Sequence, residues 1–197
     1  MRYAGRDNFL GRPAKGYDAP ECILTDQAAA ALWEAQRKLA TENLTLVVFD
    51  CYRPVSAVND FVAWTRQGRG VDPRWHPKVN RSQLIAQGYI GRRSAHSRGS
   101  TVDVALAPLD KALTAPDPDC GAAGAATLDF GTGFDCFDPK TRTAAKGLSA
   151  QAESNREKLV ALMQAAGFRN YAGEWWHFSL IGEPFPKKSF DFPVTAP

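Results

Sequence analysis

No apolar run in this 197-residue chain approaches the roughly 20 residues that a membrane-spanning helix requires, so the sequence predicts no membrane span. Charge of one sign is not concentrated either. The 24 Lys and Arg against 21 Asp and Glu leave a formal net charge of +3, and no basic stripe interleaved with aromatics argues for a nucleic-acid partner. The four cysteines, Cys22, Cys51, Cys120 and Cys136, form no Cys-x-x-Cys unit, which argues against a structural zinc knuckle. The glycine-rich turn Phe130-Gly-Thr-Gly-Phe-Asp135 lacks both a following Gly-Lys-Ser/Thr and a Rossmann context, so it does not read as a phosphate cradle. The first ten residues lack the apolar core of a secretory signal. Histidine is scarce as well: His76, His96 and His177 are the only three.

What is present describes one globular domain. The chain is 44% hydrophobic and 11% aromatic, long enough to bury a real core, without an internal repeat or a linker that would split it. The spacing of Ala29, Leu32, Trp33 and Leu39 predicts a helix over Thr25 to Ala40, capped by Thr25. Leu44 to Phe49 reads as a buried strand. Pro54 opens a second helix with Val55, Val58, Phe61 and Val62 on one face. A short helical turn is expected at Gln83 to Gln87, a strand at Val102 to Ala107, and a surface loop over Pro108 to Ala126. A third helix runs from about Ser149 to Ala166 with Gly167 ending it, and a last strand from Trp175 to Leu180 precedes a Pro-rich tail. Helices and strands mix without a βαβ rhythm, so the fold class is α+β.

Two segments about seventy residues apart carry the chemistry: Ser94-Ala-His-Ser-Arg-Gly-Ser-Thr-Val-Asp103 and Glu174-Trp-Trp-His177. His96, Asp103 and His177 make a three-ligand set suited to catalytic zinc, which keeps its fourth position open for water. Glu174, three residues from His177, is placed to serve as general base. The seven-residue gap from His96 to Asp103 needs a turn around Gly99 followed by a strand carrying Asp103. On a regular strand Glu174 and His177 face opposite sides, so Glu174 must lie at the strand's start or beyond a bulge. The bland alternatives are a polar loop with an incidental His and an exposed Glu beside a core His. Each is reasonable alone, and less so when a histidine-poor chain supplies both.

Arg53, in Cys51-Tyr-Arg-Pro54 at a strand-to-helix junction, is a candidate for holding a substrate carboxylate, because a helix start disfavours cations. Asp135 is a candidate for receiving an ammonium group, or equally a loop-capping Asp. His76 reads as structural. Ser94 beside His96 lacks a nucleophile elbow, which makes a serine hydrolase the weaker reading. The cysteines permit three pairings, and a bridge from Cys120 to Cys136 would tether a Gly/Ala/Pro-rich stretch, worth about 3 kcal/mol in the chain-entropy picture. Four buried thiols in a cytosolic enzyme are the alternative.

These segments, with Tyr3-Ala-x-x-Asp7-Asn-Phe9, Asp50-x-Tyr-Arg-Pro54, Gly131-Thr-x-Phe-Asp135, Asn155-Arg and Phe190-Asp-Phe-Pro193, strongly resemble the D-alanyl-D-alanine dipeptidases of the vancomycin-resistance (VanX) type, peptidase family M15, across almost the whole chain. The resemblance implies a small, mostly antiparallel sheet with flanking helices, as in the zinc peptidases shared with D,D-carboxypeptidases and the Hedgehog domain. It implies one zinc on His96, Asp103 and His177, Glu174 as general base and acid, and Arg53 as oxyanion or orienting group. Asp135 with Tyr3 would receive the substrate's amino group, and Ser94 would contact substrate. Ala95 stands where the resistance enzymes carry Ser. The implied partner is a small dipeptide, D-Ala-D-Ala; a carboxypeptidase or endopeptidase of the cell wall, or a non-enzymatic peptidoglycan-sensing zinc domain, are the alternatives. Cysteines at 22 and 51, where the cytosolic resistance enzyme has none, point to disulfides Cys22–Cys51 and Cys120–Cys136 in an exported, periplasmic form, with a cytoplasmic location as the other option.

Overall fold

The computed structural model describes residues 1–109, 120–122 and 127–197. Most of the loop expected over 108–126 therefore lies outside the described residues. Three helices, α1 (Asp26–Ala40), α2 (Val55–Arg66) and α3 (Ala150–Ala165), accompany four strands: β1 (Leu44–Asp50), β2 (Thr101–Pro108), β3 (Phe168–Asn170) and β4 (His177–Leu180). The strands form one antiparallel sheet in the order β1-β2-β4-β3. The α+β expectation holds.

Caps set the helix limits where the sequence placed them. Thr25 and Ser149 each accept a hydrogen bond from the backbone N–H three residues on, satisfying a donor that the first helical turn leaves orphaned. Gly167, at φ +88°, follows α3 in a left-handed conformation that favours glycine.

Four expectations need correction. The inward line of α1 is Ala28, Leu32, Ala35 and Leu39, one step from the Ala29/Trp33 line, and Trp33 is 64% exposed. Strand β1 is not fully buried: it is an edge strand, half-covered by α1, and the Gln36 side chain accepts a hydrogen bond from Leu46 N at 2.8 Å. The fully buried strand is β2, which has a neighbour on each side. The last strand begins at His177 rather than Trp175, because Glu174 to Trp176 form a turn in which both tryptophans are buried. The helical turn expected at Gln83 to Gln87 begins earlier, as a 3-10 turn at Arg81–Gln83.

Side chains of the N-terminal segment and α2 build an aromatic cluster. Phe9 meets Phe61, Trp64 and Phe137 at ring separations of 4.9, 5.0 and 5.2 Å, the edge-to-face spacing that aromatic rings prefer. Arg12 clamps the same segment to α2 through a fork on Asp60, 2.7 and 2.8 Å, with Lys15 N donating to that carboxylate at 3.1 Å. The Pro-rich tail folds back, and buried Val194 bridges to Tyr17.

The Arg12 fork holds the Asp60 carboxyl below its ordinary value. A carboxyl depressed in the folded state stabilises above its unfolded pKa, about 3.9, and loses that contribution as pH falls through the folded value. Asp60→Asn is therefore expected to lower stability at pH 7 by about 1–2 kcal/mol. In thermal melts, the gap from the parent protein should close as pH drops below about 4.

Candidate active site

Sheet register builds the site. Asp50 of β1 pairs with Asp103 of β2, and Asp103 pairs with His177 of β4. Directly opposed residues on antiparallel strands share a face, so the three stand in one row across the sheet. A bulge between Val48 and Asp50 makes this possible: it takes up Phe49 and turns Asp50 toward Asp103.

His96 reaches the row from the 3-10 turn Ala95–Arg98. Ser94 Oγ caps that turn by accepting from His96 N at 3.2 Å, and Gly99 closes it at φ +76°, donating to His96 O at 3.0 Å. The expected turn-then-strand path from His96 to Asp103 is the one observed. His96 is buried, and its Nδ1 lies 2.6 Å from Cys51 O. A carbonyl only accepts, so Nδ1 carries a proton, and Nε2 is the ring nitrogen left to ligate a metal. His96 Nε2 faces Asp103 Oδ2 at 3.2 Å and His177 Nδ1 at 3.3 Å, and His177 Nδ1 lies 3.1 Å from Asp103 Oδ1. Asp103 Oδ1 is nonetheless buried without a hydrogen bond of acceptable geometry.

Three groups of these types gathered this closely can hold a cation among them. Tetrahedral zinc with bonds of about 2.0–2.1 Å sets ligand-to-ligand edges near 3.3–3.4 Å, close to the separations found. The donor types, two imidazoles and a carboxylate, also match. The site fits the ion on both counts. Burial opposes ionisation of Asp103, yet His96 and His177 outweigh it and hold the carboxyl well below the carboxylate range. Burial likewise opposes charging of His177, and Asp103 and Glu174 overcome it, raising the imidazole above its ordinary value.

Glu174 lies in the turn before β4, as its spacing from His177 required. Its Oε2 stands 3.6 Å from His177 Nδ1, its backbone carbonyl accepts from Asn170 Nδ2 at 3.1 Å, and burial raises its carboxyl to about 7. Arg53 leaves the end of β1 with its guanidinium 5.0 Å above the Tyr3 ring and 5.2 Å above the Phe61 ring. Its Nε donates to Asp50 Oδ2 at 2.9 Å, and Nη2 lies 3.5 Å from Asp103 Oδ2. Asp135, at φ +60°, accepts from Tyr3 Oη at 2.6 Å, and burial pushes its carboxyl well above the usual value.

The loop bearing Asp135 is held from beneath. Asn155 Nδ2 donates to Asp129 O at 2.7 Å, Arg156 Nε to Phe130 O at 2.8 Å, and Trp175 Nε1 to Thr132 Oγ1 at 2.9 Å. Disulfides Cys22–Cys51 and Cys120–Cys136 flank the site, one directly behind His96 and one beside Asp135. They are the pairs expected.

Every candidate from the sequence, His96, Asp103, His177, Glu174, Arg53, Asp135, Tyr3 and Ser94, lines one cavity of about 330 Å³. His76 stands apart, with Nδ1 2.9 Å from Val79 O, in the structural role expected of it. The serine-hydrolase alternative fails on geometry: Ser94 Oγ accepts from the His96 backbone, and the His96 ring nitrogens face Cys51 O and Asp103. The residue missed is Asp50, buried behind Arg53. Its signal was the i, i+3 spacing to Arg53 in Asp50-x-Tyr-Arg-Pro54.

A small α+β fold here gathers two imidazoles, a carboxylate and a further carboxyl on one cavity, groups that could hold a metal ion beside an acid–base residue. A profile of the peptidase M15 family, described as D-ala-D-ala dipeptidase, matches residues 1–195, and the chain belongs to that family. It is 36% identical over 195 residues to a D-alanyl-D-alanine dipeptidase of Enterococcus faecium, covering 98% of this chain and 90% of that protein. Proteins of the same name from Enterococcus faecalis and Streptomyces coelicolor are each 37% identical over 98% of this chain and 91% of their own length.

A Cβ at Gly133 would stand 2.5 Å from Ala122 O and 2.9 Å from Cys120 O, in the loop that carries Asp135. Gly133→Ala is expected to cost at least about 1 kcal/mol in denaturant unfolding, because backbone must move. Gly5→Ala, whose Cβ would meet nothing closer than 3.8 Å, should stay within about 0.5 kcal/mol.

Proposed function

We propose that residues 1–197 act as one catalytic domain that hydrolyses D-alanyl-D-alanine to two molecules of D-alanine with one zinc ion. The observation that carries this reading is the convergence of His96 Nε2, Asp103 and His177 Nδ1, beside Glu174, on a cavity near the lower end of the roughly 300–1,000 Å³ of small-molecule sites. The names of the relatives support the substrate and its D-configuration.

His96, Asp103 and His177 would hold the zinc, which when bound supplies Lewis acidity toward water and the scissile carbonyl. Glu174 takes the proton of the attacking water and passes it to the departing amine, and a carboxyl near 7 suits both duties. Arg53 donates to the oxygen on which negative charge develops. Asp135, steadied by the Tyr3 hydroxyl, receives the substrate ammonium. Ser94 Oγ accepts from the backbone, so its own proton remains available to the substrate. A carboxylate anchor for the amino end favours a free dipeptide over a longer cell-wall stem, whose chain would run through that place. The paired cysteines support an exported location in an oxidising compartment.

Glu174→Gln is expected to lower kcat for D-Ala-D-Ala by about 10²–10⁴-fold while zinc remains at one per chain by elemental analysis. Turnover that survives this substitution contradicts the role given to Glu174. Asp135→Asn should act mainly on KM, raising it about tenfold or more for D-Ala-D-Ala, in steady-state assays of alanine release.

A further inference from the structure

The Asp50 carboxylate has no part in the reaction above, yet it is the most enclosed charge beside the site, 0% exposed. Its Oδ2 accepts from Arg53 Nε at 2.9 Å, its Oδ1 accepts from Tyr17 Oη at 2.6 Å, and Oδ2 lies 3.6 Å from His96 Nδ1. Tyr17 is anchored in turn by the C-terminal tail through its bridge to Val194. Burying a carboxylate costs several kcal/mol even when it is paired, and an apolar side chain in the same slot would avoid that cost. Fold stability alone therefore does not account for a charge here.

What the carboxylate does is visible in Arg53. The shortest side-chain hydrogen bond of this guanidinium among the described residues is the one to Asp50; the Tyr17 hydroxyl, which itself donates to Asp50, is a second polar neighbour, and the others are the ring faces of Tyr3 and Phe61 and a looser approach to Asp103, 3.5 Å away. Ring faces set the height of a guanidinium but not its rotation within its own plane. A bond at Nε fixes that rotation and leaves both terminal amino groups without a hydrogen bond to Asp50. Without it the positive group is free to turn onto Asp103 or Asp135, both of which attract it.

We propose that Asp50 is a positioning residue that orients Arg53 so that its terminal amino groups meet the developing oxyanion. This rests on the role given to Arg53 in the preceding section. The β1 bulge is the backbone device that delivers Asp50 to this place, since an unbulged strand would bring Phe49 opposite Asp103.

A double-mutant cycle tests it. Asp50→Asn, near-isosteric, and Asp50→Ala should each lower kcat for D-Ala-D-Ala, the alanine variant by about tenfold to a hundredfold, with KM held within about threefold. In an Arg53→Ala background the Asp50→Ala loss should shrink to less than about threefold, because the group it orients is gone. Losses that multiply fully in the two backgrounds overturn the proposal, since Asp50 would then act through the fold or through His96. Hydrogen exchange at Arg53 Nε–H, read by ¹H–¹⁵N NMR on the zinc-loaded protein, needs no turnover. Exchange should quicken at least about tenfold in Asp50→Ala, and unchanged exchange overturns the proposal. Should the parent protein release no alanine, the functional reading fails, and the exchange measurement still decides whether Asp50 holds Arg53.

Discussion

A buried carboxylate set between two imidazoles is the arrangement on which this structure turns. His96 Nδ1 is committed to Cys51 O, so Nε2 is the ring nitrogen that faces Asp103 Oδ2, at 3.2 Å. Positive charge among these groups, from imidazole protons or a bound ion, offsets the cost of burying the Asp103 carboxylate. The antiparallel register gathers the carboxylates Asp50 and Asp103 and the His177 imidazole in one row, while the turn ending at Gly99 delivers the remaining imidazole. Fold and site are one arrangement here: the most buried strand, β2, carries the central carboxylate.

Around that row the rest of the molecule acts as bracing. Phe190 N donates to Ser97 O in the His96 turn and Phe190 O accepts from Val55 N just after Arg53, so one peptide of the tail ties the two segments together. Asn155 and Arg156 of α3 hold the loop that ends in Asp135, and Tyr3 reaches that carboxyl from the N-terminus. The two disulfides act at the same places, joining the strand behind His96 to the segment before α1 and closing the loop beside Asp135. Bracing of this kind limits how far each polar group can drift from its neighbours, which matters where small displacements cost rate.

Much of this was legible in the residues. Caps at Thr25 and Ser149, the stop at Gly167 and the turn at Gly99 rest on local backbone chemistry, which short segments carry by themselves. The grouping of His96, Asp103 and His177 was readable because histidine is so scarce. Burial was harder. Leu44 to Phe49 is apolar enough for a central strand, and only the sheet order shows that it lies at an edge. Trp33 fits a helical face, but the packing of α1 on β1 selects the neighbouring line. Strand β3, three residues long, has too little pattern to be seen. A strand start at Trp175 was the wrong reading, because Trp175 and Trp176 lie in a turn and both are buried. Asp50 was hidden for another reason: its place depends on a one-residue bulge, and register across strands is not written in either strand alone.

The most direct test of the account is anomalous scattering at the zinc edge from crystals of the protein loaded with one equivalent of zinc. A single peak is predicted, within about 2.0–2.2 Å of His96 Nε2, a carboxylate oxygen of Asp103 and His177 Nδ1. No peak at that point, or an ion held instead by His76 or by Asp135 alone, would contradict it.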